Sequence, residues 1–225
     1  MKSRYQKNYT EKGYRMHYQS SLDIPLLKNQ IFQFYIEMHD IKPKIWRRIQ
    51  VPGHYNFWDL HVAIQDAMGW LDYHLHHFTI RGKGKRTEAQ IGIPDFEGIG
   101  DLPEVFPGWE IPIFHYFNDL GVEATYLYDY GDGWMHRVKL EGYMHKEKGV
   151  KYPVCIGGER ACPPEDCGAV PGYYNVLATL ANKKHPDHRD MRTWVGKDYD
   201  PERFNPETVR FDNPHKRWEN AFLKE

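Results

Sequence analysis

The chain has 225 residues, of which 40% are hydrophobic and 15% aromatic, and its formal net charge is −1 at pH 7. This composition predicts a globular protein with a buried core, and the near-neutral charge gives no support for binding nucleic acid or an anionic membrane surface. Because no apolar run approaches the roughly 20 residues of a membrane-spanning helix, and an odd number of cysteines favours a reducing compartment, we predict a cytoplasmic protein without a disulfide framework.

The first half of the chain predicts an arm, two strands, a helix and a further strand. Residues 1–28 are polar and lack sustained periodicity, which is typical of a mobile arm, and residues 29–225 are expected to form one domain. Period-two alternation predicts strands at residues 31–38, 45–51 and 74–80, the last with His74 and His76 on the same face. Asn56 is a typical cap for a helix whose apolar residues recur at helical spacing: Leu60, Ile64, Ala67, Met68 and Leu71.

The second half predicts a hairpin, a loop and three helices. The hairpin covers residues 124–141, a loop covers residues 155–168, and the helices are expected at about 172–182, 187–195 and 214–223. Strands come mostly early and helices mostly late, with one helix between strands. This order predicts an α+β fold, in one domain with a largely antiparallel or mixed sheet and helices packed on it.

The hairpin sequence YLYDYGDGWMHRVKL, residues 126–140, contains an acid and a histidine on either side of a turn. A two-residue Asp132–Gly133 turn would place Asp129 directly opposite His136, on the same apolar face as Trp134. The tyrosines at positions 126 and 128 would then face water. Two interpretations stay open: a structural hydrogen bond between the acid and the imidazole, which would raise the pKa of His136, or half of a metal or proton-transfer site.

The second candidate is the loop CIGGERACPPEDCG, residues 155–168. Its two prolines stiffen a short segment in which Glu165 and Asp166 add oxygen atoms. Three thiolates and one imidazole would complete a tetrahedral zinc site. The candidate metal ligands are Cys155, Cys162, Cys167 and His136, with His145 as the other imidazole nearby in sequence. The spacing differs from the common C-x₂-C zinc pattern, and the alternative is a set of buried thiols.

We expect the cysteine loop to pack against the hairpin and to form one cleft between them. The residues expected to line that cleft are Asp129, Trp134, His136, Glu165 and Asp166. The leading interpretation is a cytosolic binding or interaction domain with a ligand or protein partner and no chemistry of its own. The alternative is a metal-dependent enzyme, such as a phosphate-ester hydrolase, with zinc as the candidate cofactor.

Several motifs in order resemble one known family. They are IKPKIWRRIQVP at 41–52, LHVAIQDAMGW at 60–70 with HLHHF at 74–78, the hairpin, the cysteine loop followed by GYYNVL, and WVGKDYDPERFNPETV at 194–209. Over about residues 31–210 the chain is similar to the family named after the third open reading frame of plasmid pRiA4b, and to proteins described as passengers of insertion elements. The resemblance implies an α+β fold and association with mobile elements, and it supplies no catalytic residues, because the family has no established reaction.

Removal of residues 1–28 is predicted to leave the melting temperature nearly unchanged. The arm has few apolar side chains, so little would offset the roughly 1–2 kcal/mol of backbone entropy that each ordered residue costs. Thermal denaturation of the full chain and of a truncated chain beginning at Asn29 tests this directly. A drop of several degrees in the truncated protein would mean that the arm packs on the domain.

Overall fold

The computed structural model describes residues 27–81, 87–94 and 104–223. Most of the predicted arm, residues 1–26, lies outside the described residues, and so do residues 82–86 and 95–103. The described residues form one mixed sheet with helices packed on it, which confirms the predicted α+β class. None of the helices in these ranges is both long enough and apolar enough to cross a bilayer.

The sheet has eight strands in the described residues, in the spatial order β5-β4-β3-β6-β7-β1-β2-β8. Every neighbouring pair is antiparallel except the parallel pair of β4 and β5. The strands are β1 (Gln30–Met38), β2 (Trp46–Pro52), β3 (His76–Arg81), β4 (Thr87–Gly92), β5 (Val105–Pro107), β6 (Glu123–Tyr128), β7 (Trp134–His145) and β8 (Val154–Glu159).

Period-two alternation explains the strands, with one exception: a buried position of β2 is occupied by an arginine. In β1, Phe34 and Ile36 are buried and their neighbours are only partly covered. In β2, Ile49 and Val51 are buried on the same face as Arg47. A side-chain period of two puts residue 47 in phase with 49 and 51, so the sheet carries an arginine into its core.

The helices are α1 (Phe57–Met68), α2 (Ala169–Ala181), α3 (His188–Val195) and α4 (Pro214–Phe222). The predicted cap of α1 is confirmed, because the Asn56 side chain accepts a hydrogen bond from the backbone N–H of Asp59 at 2.8 Å. The helix ends at Met68 because Gly69 adopts a left-handed conformation with φ 90°. Leu71 therefore lies beyond the helix, and it is 61% exposed rather than buried.

Helix α1 is covered on both sides, which makes it almost entirely buried. One side packs on the sheet through residues such as Leu60 and Ile64. The other side is covered by α4 and by the turn at Gly108–Glu110, where Trp58 contacts Phe222 and Trp109 at ring-centroid distances of 5.3 and 6.4 Å. Polar residues on α1 are therefore enclosed as well.

The predicted hairpin register is wrong by three residues. The structure pairs Tyr126 with His136 and Tyr128 with Trp134 and leaves a five-residue loop, from Asp129 to Gly133. Asp129 starts this loop in the left-handed region at φ 58°, and its carboxylate accepts the Gly131 N–H at 2.8 Å.

This longer loop reverses the faces that were expected for β6. Because the shift is odd, it turns the other face of β6 towards the core. Tyr126 and Tyr128 are buried, whereas Leu127 is only partly buried. Asp129 does not pair with His136, so neither the expected ion pair nor the expected water-facing tyrosines are present.

Candidate functional site

The four predicted zinc ligands are not brought together. Cys155 lies in β8, Cys162 is buried with its sulfur 3.8 Å from the Met38 sulfur, and Cys167 is partly exposed. Within the described residues, no group of three His, Cys, Asp or Glu side chains with ligand atoms within 4.8 Å of one another includes a cysteine or His136. Burial raises the pKa of all three thiols, to about 12 for Cys167, which keeps them neutral.

The space between the hairpin and the cysteine loop is filled by the segment that follows α1. Trp70 stacks on Tyr128 with ring centroids 4.9 Å apart, and its indole N–H donates to the Pro163 carbonyl at 2.9 Å. Trp134 lies behind the Trp70 ring at a centroid distance of 6.1 Å. Glu165 accepts hydrogen bonds from the Tyr128 hydroxyl at 3.0 Å and from a backbone N–H of this segment. The two predicted walls do meet, but Trp70 occupies the cleft.

His136 is enclosed by aromatic side chains instead of by ligands. It is fully buried, its Nδ1 lies 3.3 Å from the Tyr126 carbonyl oxygen, and its ring meets Trp70 edge-on at 5.3 Å. Burial lowers the pKa of His136 to about 3, opposite to the predicted increase, because the charged imidazolium would lose its hydration without gaining a carboxylate. His136 is therefore a neutral core residue.

A different histidine joins the predicted acids at the end of the hairpin. His74 Nε2 lies 3.1 Å from an Asp166 oxygen and 3.7 Å from an Asp129 oxygen. The three ligand atoms all lie within 4.8 Å of one another. Nearby, the Asp132 carboxylate accepts the Gly168 N–H at 3.1 Å, which ties the cysteine loop to the hairpin. Two predicted acids thus meet at a histidine that comes from the segment after α1.

A groove of about 790 Å³ lies on the other side of the cysteine loop. Its walls are the end of α1 with the segment after it, the loop at 161–166, and the C-terminal residues between 194 and 210. Aromatic rings from three different parts of the chain line it: the buried Trp70 and the exposed or partly buried Tyr73, Trp194, Tyr199 and Phe204. Among the predicted site residues, the groove contains Cys162, Glu165 and Asp166.

Arg47 lines this groove and is only 1% exposed. Its guanidinium donates to the backbone carbonyls of Ala67, Trp46 and Glu159 at 2.8 to 3.0 Å, and its Cζ lies 3.6 Å from the centre of the Phe204 ring. No carboxylate pairs with it in the ranges that the structure describes, and burial lowers its pKa. A buried cation without a negative partner is costly, so this charge calls for compensation.

The acids that line the groove are already engaged. Asp66 pairs with Arg217 at 2.6 Å, Glu165 accepts from Tyr128, and Asp166 contacts His74. Arg203, in contrast, is an exposed lining residue without an ion pair in the described ranges. The positive charges of the lining are therefore more available to a ligand than its negative charges are.

Local sequence patterns alone do not mark Arg47, Arg203 and Trp194 as site residues. One signal for Arg47 was present, because it falls in phase with the buried residues of β2. Arg203 and Trp194 lie in a segment whose local pattern does not reveal that it packs beside α1. Convergence of residues 47, 70 and 194–210 is a property of the tertiary structure alone.

Comparisons with known proteins identify relatives whose functions are also unknown. A family model described as plasmid pRiA4b ORF-3-like protein matches residues 30–208. An uncharacterized protein, y4hQ, from Sinorhizobium fredii (strain NBRC 101917 / NGR234) is 34% identical over 167 residues, which are 73% of this chain and 81% of that protein. The crystal structure of a protein of unknown function, MM3350, from Methanosarcina mazei Go1 has 38% sequence identity and a TM-score of 0.71, covering 81% of this chain and 99% of that one.

The buried His136 is predicted to make stability depend on pH. The unfolded imidazole takes up a proton near pH 6.5, whereas the folded one does so only near pH 3. The full free energy of unfolding is therefore present above about pH 6.5, and it decreases as the pH falls towards 3. In that window His136 should add about 1.4 kcal/mol per pH unit to the slope of the unfolding free energy, and H136F should remove that share. Denaturant titrations at several pH values measure the slope.

His145 provides the matched control, because it is an exposed histidine at the far end of the same strand. H145F should leave the slope unchanged. An unchanged slope in H136F would contradict the assignment of His136 as a neutral core residue.

Proposed function

This chain belongs to the plasmid pRiA4b ORF-3-like protein family, and we propose that it is a binding domain whose groove takes a small anionic ligand with an aromatic or otherwise planar body. The single observation that carries the proposal is Arg47 in the wall of a groove of about 790 Å³. Within the described ranges, its buried guanidinium hydrogen bonds only to backbone carbonyls. The motifs of the sequence predicted a binding domain with a different cleft, between the hairpin and the cysteine loop.

The charges of the residues that line the groove favour an anionic ligand. A carboxylate or phosphate near Arg47 would supply the negative charge that the guanidinium lacks, and charge-assisted hydrogen bonds in a partly enclosed site are stronger than those in water. Exposed Arg203 at the rim would add a second positive contact. A cationic ligand is disfavoured, because the carboxylates of Asp66, Glu165 and Asp166 are held by other residues.

The apolar lining and the exposed aromatic rings of the groove favour a planar body for the ligand. Ligand sites are usually apolar clefts with a few polar groups that fix orientation, and this groove has that composition. Trp194 is 52% exposed and Tyr73 is 70% exposed, so both rings offer faces on which a planar group could stack. The ligand that fits is therefore a phosphate or carboxylate that is attached to a planar body.

The same proposal includes the cellular location and the partners of the protein. Three free cysteines support a cytoplasmic location, because thiols persist in reducing compartments. The association with insertion elements that the resemblance implied concerns the origin of the chain, and it adds no residue to the site. A protein partner would have to use a surface outside the groove, or present a side chain with the same chemistry as the ligand.

Arg203→Ala is predicted to weaken binding of phenyl phosphate about tenfold, because one charge-assisted contact is worth roughly 1.5 kcal/mol or more. Binding can be followed by the fluorescence of Trp70 and Trp194 and by calorimetry. Inorganic phosphate should bind more weakly than phenyl phosphate, and benzyl alcohol, which lacks the charge, should not bind.

Arg189→Ala is the matched control, since it removes the same charge from an exposed position of α3 outside the groove. It should bind phenyl phosphate as the wild type does. Equal binding by R203A and the wild type, or equal loss in R189A, would reject the groove as the anion site.

A second candidate function is a metal-dependent phosphate-ester hydrolase, favoured by the cluster of His74, Asp129 and Asp166. One imidazole and two carboxylates are suitable ligands for a divalent ion, and Asp166 also lines the groove that would hold the phosphate. An ion there would act as a Lewis acid on the phosphoryl oxygen.

Asp129→Asn is predicted to lower metal-dependent hydrolysis of p-nitrophenyl phosphate about 100-fold, because it removes a buried ligand. Asp132→Asn, in the same loop but outside the cluster, should retain the activity. If the wild type shows no hydrolysis with added Mn²⁺ or Zn²⁺, the hydrolase is ruled out and the binding domain stands.

A further inference from the structure

A second histidine cluster lies deeper in the protein, between α1 and the sheet. His61 comes from α1, Asp72 from the segment after it, and His76 from the start of β3, and their ligand atoms all lie within 4.8 Å of one another. His61 Nε2 is 2.8 Å from an Asp72 oxygen. Both imidazoles are fully buried, and their rings are parallel with centroids 3.4 Å apart.

His76 is the unusual member of this cluster. Neither of its ring nitrogens has a hydrogen-bond partner in the described residues, although the side chain is completely buried. A neutral imidazole has one N–H and one lone pair, so its polar atoms normally find partners when buried. The surrounding rings of Trp58, Phe78 and Tyr126 supply none of these partners.

His61 is, by contrast, held by partners on both sides. Its Nδ1 lies 2.8 Å from the Tyr126 hydroxyl, which also accepts a hydrogen bond from the Gln65 amide. This arrangement fixes the ring and directs Nε2 towards Asp72. Ligating histidines are commonly oriented by a hydrogen bond to the other ring nitrogen, and the Tyr126 hydroxyl would fill that role.

We propose that His61, Asp72 and His76 bind a divalent transition-metal ion of the zinc class. Two imidazole nitrogens and one carboxylate form a ligand set that zinc accepts, and a fourth position would be left for water or a further oxygen. The lone pair of His76, which has no partner among the residues that the structure describes, would become a ligand.

The charges around the cluster also favour a dication. Arg217 contacts Asp72 at 3.7 Å, Asp66 at 2.6 Å and Asp212 at 2.5 Å. Because the Asp212 side chain is 65% exposed and solvated, the two buried carboxylates of Asp66 and Asp72 face one guanidinium, which leaves a net charge of −1 beside the cluster. The Asp66 and Asp72 side chains are 6% and 9% exposed, so solvent compensates for their charge poorly.

Binding requires one ring to turn. Lone pairs lie in the plane of an imidazole, so two parallel rings cannot both point at one ion. His76 has no hydrogen bond to break within the described residues, and it is therefore the ring that turns. The ion would join helix α1, the segment after it and strand β3, which makes a structural role and higher thermal stability the expected consequences.

The test is zinc binding to the full chain after treatment with a chelator. The wild type should bind one zinc ion in this cluster, melt at a higher temperature with zinc, and give a visible absorption band with Co²⁺. His76→Phe should fold, because an aromatic ring replaces an imidazole in an aromatic site. It should lose at least about 100-fold in zinc affinity and should show no thermal shift.

His77→Phe is the matched control, since His77 is only partly buried and hydrogen bonds to the Tyr130 hydroxyl. It should keep the affinity. His74→Phe removes a residue of the hairpin cluster, so it distinguishes zinc that is bound there from zinc that is bound by the buried cluster. Failure of the wild type to bind Zn²⁺ or Co²⁺ would overturn the proposal, and so would zinc binding that H76F retains but H74F loses.

A second variant keeps the test decisive if H76F does not fold. Asp72 adopts φ 62°, a conformation that asparagine tolerates, so Asp72→Asn should preserve the backbone while it weakens a ligand and removes a charge. Loss of zinc affinity in folded D72N supports the site. Wild-type affinity in D72N overturns it.

Discussion

The buried guanidinium of Arg47 connects the parts of the structure on which the groove depends. It hydrogen bonds to the last turn of α1 through Ala67, to the edge of the sheet through Trp46 and Glu159, and it lies over the ring of Phe204 from the C-terminal segment. Carbonyl oxygens at the C-terminal end of a helix carry partial negative charge, which compensates for part of the cost of burying the cation. The part of the positive charge that these carbonyls do not compensate leaves a positive site in the groove wall.

The length of the hairpin loop determines the packing on the other side of the cysteine loop. Its five residues set the register that turns Tyr126 and Tyr128 inward, and the space beside Tyr128 is then filled by Trp70. Trp70 separates the hairpin from the groove, so His136 becomes a core residue and the acids of the hairpin meet His74 instead. A shift of three residues in one strand pair therefore changes which groups can act together.

The strand predicted at 74–80 begins only at His76, so His74 and His76 do not share one strand face as expected and lie in two environments. His74 lies at the protein surface with the acids of the two loops, whereas His76 lies under α1 with His61. The proposed anion groove, the hairpin cluster and the buried cluster are thus separate in chemistry although they share the short segment that follows α1. Every proposed metal ligand, and Arg47 and Arg203 of the groove, lies within residues 30–208, the part that matches the family.

Much of the architecture could be predicted from local patterns. Alternation located β1 and β2, and Asn56 marked the start of α1, because strand faces and helix caps depend on neighbouring residues. Motifs along the chain also indicated the family. These features are determined by the sequence itself, since they need no information about distant contacts.

The site was decided by tertiary structure. Asp132–Gly133 is a favourable two-residue turn by itself, but the Asp129 carboxylate closes a longer loop and Asp132 hydrogen bonds to Gly168, 36 residues away. The three thiols are close in sequence but are separated because Cys155 belongs to a strand and Cys162 faces the core. Arg47, Trp70 and Arg203 meet only after the sheet, the helix and the C-terminal segment have packed, because buried charge and side-chain volume are satisfied by distant parts of the chain.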